Sequence, residues 1–124
     1  MKKITILLLF AFLATACDNR ERKCSDFKTG TFTFEKEWKG KLNKSILIRT
    51  KDIQIETFNG KTDTATIRWV NDCEFVLQKL HPKTMDEKKA VSMKILSTSK
   101  NSYTFEYGFV GQGEKQRGTV TKIK

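Results

Sequence analysis

Residues 64–80, TATIRWVNDCEFVLQKL, contain two short runs in which apolar or aromatic residues alternate with polar ones. A period of two is typical of a β-strand with one buried face. Asn71 and Asp72 separate the runs, and two turn-forming residues between strands predict a β-hairpin. The residues predicted to face inward are Ala65, Ile67, Trp69, Cys73, Phe75 and Leu77.

The same alternation extends in both directions and predicts eight strands, at 29–36, 45–50, 53–58, 64–70, 73–80, 91–98, 103–109 and 118–124. The links between them are short, which predicts antiparallel neighbours. An open meander of this length would leave long unpaired edges, so we expect an all-β, closed or nearly closed up-and-down barrel, with a two-sheet sandwich as the alternative. The other inward residues predicted are Phe32, Phe34, Ile46, Ile48, Ile53, Ile55, Val91, Met93, Ile95, Tyr103, Phe105 and Tyr107.

One segment has a different character. Residues 82–90, PKTMDEKKA, begin with proline and continue with good helix formers, which predicts one short helical turn. The glycines of 111–118 have no following helix with a Lys-Ser or Lys-Thr start, so we interpret them as hairpin residues rather than a phosphate-binding loop.

The first residues of the chain have the pattern of a bacterial export signal. Lys2 and Lys3 precede an apolar run at 4–13, and small residues at 14–16 precede Cys17. We expect cleavage before Cys17 and acylation of its thiol, which would anchor the protein to membrane lipid; plain secretion after an A-x-A site is the alternative. The predicted organisation is a signal peptide at 1–16, a polar lipid-anchored tether at 17–28 and one β-barrel domain at 29–124.

The charge of the chain is strongly positive. Removal of residues 1–16 takes only Lys2 and Lys3 from the 24 basic residues and leaves all 14 acidic ones, so the expected mature chain carries a formal net charge of +8. Such an excess favours anionic neighbours, and for an exported, anchored protein these are lipid headgroups rather than nucleic acid.

The cysteine count becomes even once Cys17 is assigned to acylation. Cys24 and Cys73 then form a pair, which we expect to be a disulfide in an oxidising compartment; two free buried thiols are the alternative. In an up-and-down meander the odd-numbered strands run in the same direction. Cys24 precedes the first strand and Cys73 opens the fifth, so both lie at the same end of the predicted barrel.

Several chemistries find no support in the residues. His81 is the only histidine and is predicted at the far end of its strand from Cys73, so a Cys-His dyad, a serine triad and a zinc site are not expected. The pairs Glu35 with Glu37 and Asp72 with Glu74 are explained more simply as solvent-facing charges than as catalytic carboxylates. We therefore predict no catalytic residues, no metal, no cofactor and no enzyme activity.

The loops that follow the odd-numbered strands should gather at the end opposite the disulfide. These loops carry nine basic residues against five acidic ones. We predict that this end binds an anionic partner, such as an anionic glycan or an acidic envelope protein; a merely solvated lysine-rich surface is the alternative. The predicted partner-binding residues are Trp38, Lys39, Lys41, Lys88 and Lys89.

Aromatic residues dominate the predicted inner face. An eight-stranded barrel is just wide enough to be filled by side chains or to hold one small ligand. With short strands and bulky inward residues, we expect a filled interior, and a lipocalin-like pocket for a small apolar ligand is the alternative.

Residues 23–32, KCSDFKTGTF, and 69–75, WVNDCEF, resemble a family of small exported lipoproteins of Bacteroidota whose function is uncharacterised. The resemblance covers most of the expected mature chain and matches the family's cysteines and tryptophan to Cys24, Cys73 and Trp69. It implies an envelope protein on the outer membrane; the mixed charges of residues 18–22 favour the periplasmic face. Some members carry a DNA topoisomerase name, which a short exported chain does not support.

Overall fold

The computed structural model describes residues 22–124, so the predictions on the signal segment and on Cys17 lie outside the described residues. The described part of the chain is an antiparallel β-barrel in which each strand pairs with the next and the last pairs with the first. The predicted all-β, closed up-and-down barrel is confirmed. Its strands are β1 (Gly30–Trp38), β2 (Lys41–Arg49), β3 (Ile53–Phe58), β4 (Lys61–Asn71), β5 (Glu74–Lys79), β6 (Val91–Thr98), β7 (Ser102–Phe109) and β8 (Gln116–Lys122).

Two-residue turns set the geometry of the first two odd-to-even hairpins. Lys39 and Gly40 connect β1 to β2 with φ angles of 51° and 72°. Asn59 and Gly60 connect β3 to β4 with φ angles of 49° and 72°. Positive φ at both central residues matches the twist of an antiparallel ribbon, and glycine adopts it without steric cost. The β1–β2 hairpin is therefore longer than predicted, because most of the expected link 37–44 is paired strand.

The tight turn at Lys39 fixes which face of β2 is buried. Cross-strand partners share a face, and the register pairs Phe32 with Leu47. Leu47 is accordingly 7% exposed, whereas Ile46 and Ile48 are 41% and 46% exposed. The prediction that Ile46 and Ile48 face inward was wrong, because the register set by the turn outweighs their apolar character.

The same register carries over to β3. Leu47 pairs with Glu56 and Arg49 pairs with Gln54, so the inward residues of β3 are polar. Gln54 is only 6% exposed. Ile53 and Ile55 were predicted inward and instead lie on the outer face, where Ile55 pairs with Ile48. One half of the barrel thus has polar groups inside and isoleucines outside.

The remaining strands bury the residues that alternation predicts. Phe32, Phe75, Ile95 and Tyr103 are each at most 1% exposed. Aromatic rings meet edge to face across the interior, with a centroid distance of 6.1 Å between Phe32 and Tyr103. Such contacts add directional packing to the burial of large apolar surfaces.

One end of the barrel is sealed, and we call it the closed end. The 3₁₀ helix Cys24–Phe27 lies there and buries Cys24 and Phe27 in the core cluster. The predicted Cys24–Cys73 disulfide is present and ties this helix to the beginning of β5. Closing a loop of 49 residues contributes about 4 kcal/mol in the chain-entropy model. The segment predicted as a tether therefore includes residues that complete the core.

The link 80–90 between β5 and β6 contains hydrogen-bonded turns where a helical turn was predicted. The backbone N–H of Lys88 donates to the Met85 carbonyl, and that of Lys89 donates to the Asp86 carbonyl. Within residues 22–124 the one helical segment is the 3₁₀ helix at the closed end. No helix in this part of the chain is long and apolar enough to cross a bilayer.

Gly118 lies in β8 rather than in the preceding turn, and it faces the interior. A Cβ atom at this position would come within 2.9 Å of the rings of Phe34 and Phe105. Those two rings pack edge to face with centroids 5.7 Å apart. Glycine is therefore needed here for the close approach of two aromatic side chains.

The described residues contain the complete barrel. All eight strands, the disulfide and the 3₁₀ helix lie between residues 22 and 124, and every strand has two paired neighbours. A chain of this range has its own core and no unpaired sheet edge, so we expect it to fold alone.

The register of β2 predicts opposite responses at two neighbouring positions. Leu47→Asn places an amide in the core and should lower the free energy of unfolding by more than about 2 kcal/mol. Ile48→Asn changes an outer position and should lower it by about 1 kcal/mol or less. Urea unfolding measures both, and a larger loss for Ile48→Asn would contradict the register.

Candidate functional site

The half of the barrel away from the closed end is hollow. A cavity of about 410 Å³ extends from Arg49 and Tyr103 to the link between β5 and β6. Its volume lies within the range of about 300–1,000 Å³ that is usual for small-molecule sites. The expectation of a filled interior was therefore wrong for the half of the barrel away from the disulfide. The short inward side chain of Ala65 contributes to this space.

The wall of the cavity is apolar over its middle depth. Its apolar side chains come from seven of the eight strands, and the remaining strand, β3, contributes Gln54 and Glu56. Phe34 and Phe105 pack edge to face within this wall, and Phe105 also contacts Tyr107 with centroids 5.4 Å apart. The apolar wall residues are Phe34, Leu47, Ala65, Leu77, Met93, Phe105 and Val120.

Arg49 forms the floor of the cavity. It is 2% exposed and donates three hydrogen bonds: Nε to Gln54 Oε1 at 3.0 Å, one terminal nitrogen to the Phe27 carbonyl at 2.8 Å, and the other to Tyr103 Oη at 2.8 Å. These partners belong to β3, to the 3₁₀ helix and to β7. Arg49 therefore holds the helix at the closed end of the barrel.

The Arg49 guanidinium also stacks on aromatic rings. Its central carbon lies 4.5 Å from the centroid of Phe32 and 4.8 Å from that of Phe75. An aromatic face attracts a cation, and the attraction is stronger where water is excluded. In the described part of the chain no acidic side chain forms an ion pair with Arg49, so the buried cation is balanced only by neutral dipoles and ring faces.

The opposite end of the barrel, which carries the β1–β2, β3–β4, β5–β6 and β7–β8 connections, is the mouth. On one side of the mouth, Lys79 Nζ lies 2.9 Å from Glu87 Oε1 and 3.7 Å from Asp63 Oδ2. Glu87 Oε2 accepts hydrogen bonds from the backbone N–H groups of Lys83 and Thr84 at 2.7 and 3.1 Å. One carboxylate thus ties the β5–β6 link to the barrel wall.

These contacts shift the titration of both partners. The hydrogen bond from Lys79, followed by that from Lys83, holds the pKa of the Glu87 carboxyl below its usual value. The hydrogen bond to Glu87 raises the pKa of Lys79 despite partial burial of the ammonium group. Both shifts favour the ionised pair at neutral pH.

The other side of the mouth is aromatic. Val91, Tyr107 and Phe109 line the cavity there. The ammonium of Lys89 lies 5.3 Å from the Phe109 ring centroid and 3.2 Å from Asp86 Oδ1. The entrance therefore combines a charged side on β3, β4 and β5 with an aromatic side on β6 and β7.

The predicted partner-binding residues all lie at the mouth, but only one borders the cavity. Trp38, Lys39 and Lys41 belong to the tip of the β1–β2 hairpin. Lys88 and Lys89 belong to the β5–β6 link, and Lys89 lines the cavity. These five positions therefore lie on two connections that face each other across the mouth, because the β3–β4 and β7–β8 connections separate them on either side.

The residues set aside as catalytic candidates are exposed or paired. Glu35 and Glu37 are exposed on the outer face of β1. Asp72 pairs with Lys28 at 3.0 Å, and Glu74 lies 3.9 Å from Lys94. Within residues 22–124 no group of three or more histidine, cysteine or acidic side chains is arranged to hold a metal ion.

The polar interior of β2 and β3 does not follow from the alternation of apolar residues. Arg49, Gln54 and Glu56 face inward, where apolar alternation had placed isoleucines. One signal could have revealed them: Lys39-Gly40 is a two-residue turn sequence directly after a well-patterned strand. Counting back from that turn pairs Phe32 with Leu47 and thereby assigns the inner face.

Comparison with known proteins identifies no relative. No family model, no curated protein and no solved structure matches this chain.

The Glu87 contacts predict how the β5–β6 link responds to mutation and to pH. Glu87→Gln removes the charged acceptor, so the amides of Lys83 and Thr84 should exchange with solvent faster while strand amides stay unchanged. Because the Glu87 pKa is lowered in the folded state, the contribution of this carboxylate to the stability of the link is fully present above the pKa of the unfolded chain and is lost as pH falls through the folded pKa. Hydrogen exchange measures the effect, and Asp72→Asn is the control at the closed end. Unchanged exchange at Lys83 and Thr84 would contradict this role.

Proposed function

We propose that this protein binds a small, largely apolar ligand inside its barrel and carries or sequesters it in the cell envelope. The single observation that supports this proposal is the cavity of about 410 Å³, which has an apolar wall and opens at the mouth. A pocket that is mostly apolar with a few convergent polar groups is the usual form of a ligand site.

The composition of the cavity lining suits binding better than catalysis. Among the described residues, the lining contains no serine, threonine, cysteine or histidine, so it lacks the usual nucleophiles and their most common base. Of its four carboxylates, those of Asp63, Asp86 and Glu87 lie at the mouth and contact lysines, and that of Glu56 accepts a hydrogen bond from Ser45.

We further propose that Cys17 is acylated and anchors the domain to the outer membrane, facing the periplasm. Cys17 precedes Cys24 by seven residues, and a chain segment of that length spans about 15 Å on average. Cys24 belongs to the closed end. An anchor at Cys17 would hold the closed end near the bilayer and direct the mouth away from it.

Filling the cavity should abolish ligand binding. Ala65 lines the cavity and its neighbour Thr66 is exposed on the outer face of β4. Ala65→Trp in residues 22–124 should reduce binding of the apolar fluorophore N-phenylnaphthylamine at least about tenfold, because the indole would occupy the ligand's space. Thr66→Trp is the matched control and should bind as the parent does. Equal binding by both variants, or no binding by the parent, would contradict the proposal.

A second candidate function concerns the surface around the mouth. Lys39 and Lys41 are exposed on one side of the mouth, and Lys88 and Lys89 are exposed on the opposite side. Their positive charge favours an anionic glycan or an acidic envelope protein as a partner. This role is compatible with ligand binding, since a partner at the entrance would meet the ligand as it enters or leaves.

Neutralising these four lysines tests the second candidate. Glutamine at all four positions should lower the salt concentration that elutes the domain from heparin by more than the same change at Lys23, Lys51, Lys100 and Lys124, which lie at the closed end. Both sets remove four charges, so a difference reports on position. Equal elution of the two variants would indicate a solvated lysine surface without a preferred site.

A further inference from the structure

We propose that the ligand is an amphipathic carboxylate, such as a fatty acid, that enters with its carboxylate leading and binds it at Arg49. This inference rests on the proposed ligand-binding function and adds the class and orientation of the ligand. It follows from the charge at the floor of the cavity, the pairing of charges at the mouth and the apolar wall between them.

The Arg49 guanidinium retains the capacity to bind an anion. A guanidinium has five N–H donors, and three of those of Arg49 have acceptors among the described residues. All three acceptors are neutral oxygens, from Gln54, Phe27 and Tyr103. A carboxylate is the acceptor that a guanidinium binds most strongly, and it would use the two N–H donors that have no acceptor among the described residues.

The position of Arg49 favours an anionic ligand. It is 2% exposed and lines the cavity, so its charge acts where water is largely excluded. Burial of an uncompensated charge is costly, and a partner of opposite charge offsets that cost. The closest inward carboxylate along β3 is that of Glu56, which accepts a hydrogen bond from Ser45 at 3.2 Å and does not pair with Arg49.

The mouth is a poorer site for the same carboxylate. Between the level of Glu56 and the entrance, the cavity lining contains three lysines and four carboxylates. This region therefore has no excess of positive charge. Lys79 contacts Asp63 and Glu87, and Lys89 contacts Asp86. An anionic headgroup at the mouth would therefore have to compete with these carboxylates for Lys79 and Lys89. The lining residues concerned are Lys36, Lys79, Lys89, Glu56, Asp63, Asp86 and Glu87.

The apolar wall then accommodates the hydrocarbon chain. Leu47, Leu77 and Met93 lie between the floor and the mouth, and Val91 and Phe109 continue the apolar surface to the entrance. A hydrocarbon chain that extends from Arg49 towards the mouth meets apolar side chains along its length. Its far end would reach the aromatic side of the mouth.

The test compares decanoate with decanol, which share a chain and differ in the headgroup. Isothermal titration of residues 22–124 should show decanoate binding at least about tenfold more tightly than decanol, since a charge-assisted hydrogen bond in a buried site contributes that much or more. Equal affinity for the two compounds would overturn the inference and leave the proposed function standing. Absence of binding by either compound, together with no binding of N-phenylnaphthylamine, would overturn both.

Two variants locate the headgroup. Gln54→Glu keeps the shape of the side chain that accepts from Arg49 Nε and supplies an internal carboxylate, so the preference for decanoate should disappear while decanol binds as before. Lys36→Gln removes a cation at the mouth and should leave the preference intact. Loss of the preference in Lys36→Gln but not in Gln54→Glu would place the headgroup at the mouth and overturn the inference. Gln54→Glu tests the contact without deleting the guanidinium. Arg49→Met deletes it and, where circular dichroism shows that the variant folds, should also lose the preference for decanoate.

Discussion

The buried guanidinium of Arg49 holds three elements of the barrel together at the closed end. It joins β2 to β3 through Gln54, to β7 through Tyr103 and to the 3₁₀ helix through the Phe27 carbonyl. It also stacks on Phe32 of β1. A small barrel has little apolar core with which to close its ends. The Arg49 side chain has several N–H donors and satisfies the backbone carbonyl of Phe27 that the 3₁₀ helix buries. The closed end is thus formed by a charge as well as by apolar packing.

The sequence predicted the barrel because most of its strands alternate strictly. Phe75, Ile95 and Tyr103 fall on a period of two and are buried. The short links between strands predicted the antiparallel meander that the structure has. The disulfide followed from counting thiols. The inner face of β2 and β3 could not be predicted by hydrophobicity, because the isoleucines there face outward. Only the register imposed by the Lys39-Gly40 turn determines it. Local propensity and global fold disagree at the strands that supply the polar groups of the cavity, which is where a functional site is expected.

The two ends of the barrel are held together by different kinds of interaction. The disulfide, the 3₁₀ helix and Arg49 make the closed end rigid. The mouth depends on exposed or half-exposed ion pairs, above all the contact of Glu87 with Lys79, which hold the β5–β6 link in place. Weak surface ion pairs open more readily than a packed core, so movement that admits a ligand belongs at the mouth. This division agrees with the proposed entry of a ligand past the charged and aromatic rim.

The register of β2 turns Arg49 inward and Ile48 outward. Nuclear Overhauser effects in residues 22–124 without ligand test this assignment. We expect contacts from the Arg49 Nε–H and δ-methylene protons to the rings of Phe32 and Tyr103, with slow solvent exchange of the Nε–H. Contacts from the Ile48 methyl groups to those rings, together with a rapidly exchanging Arg49 side chain, would contradict it.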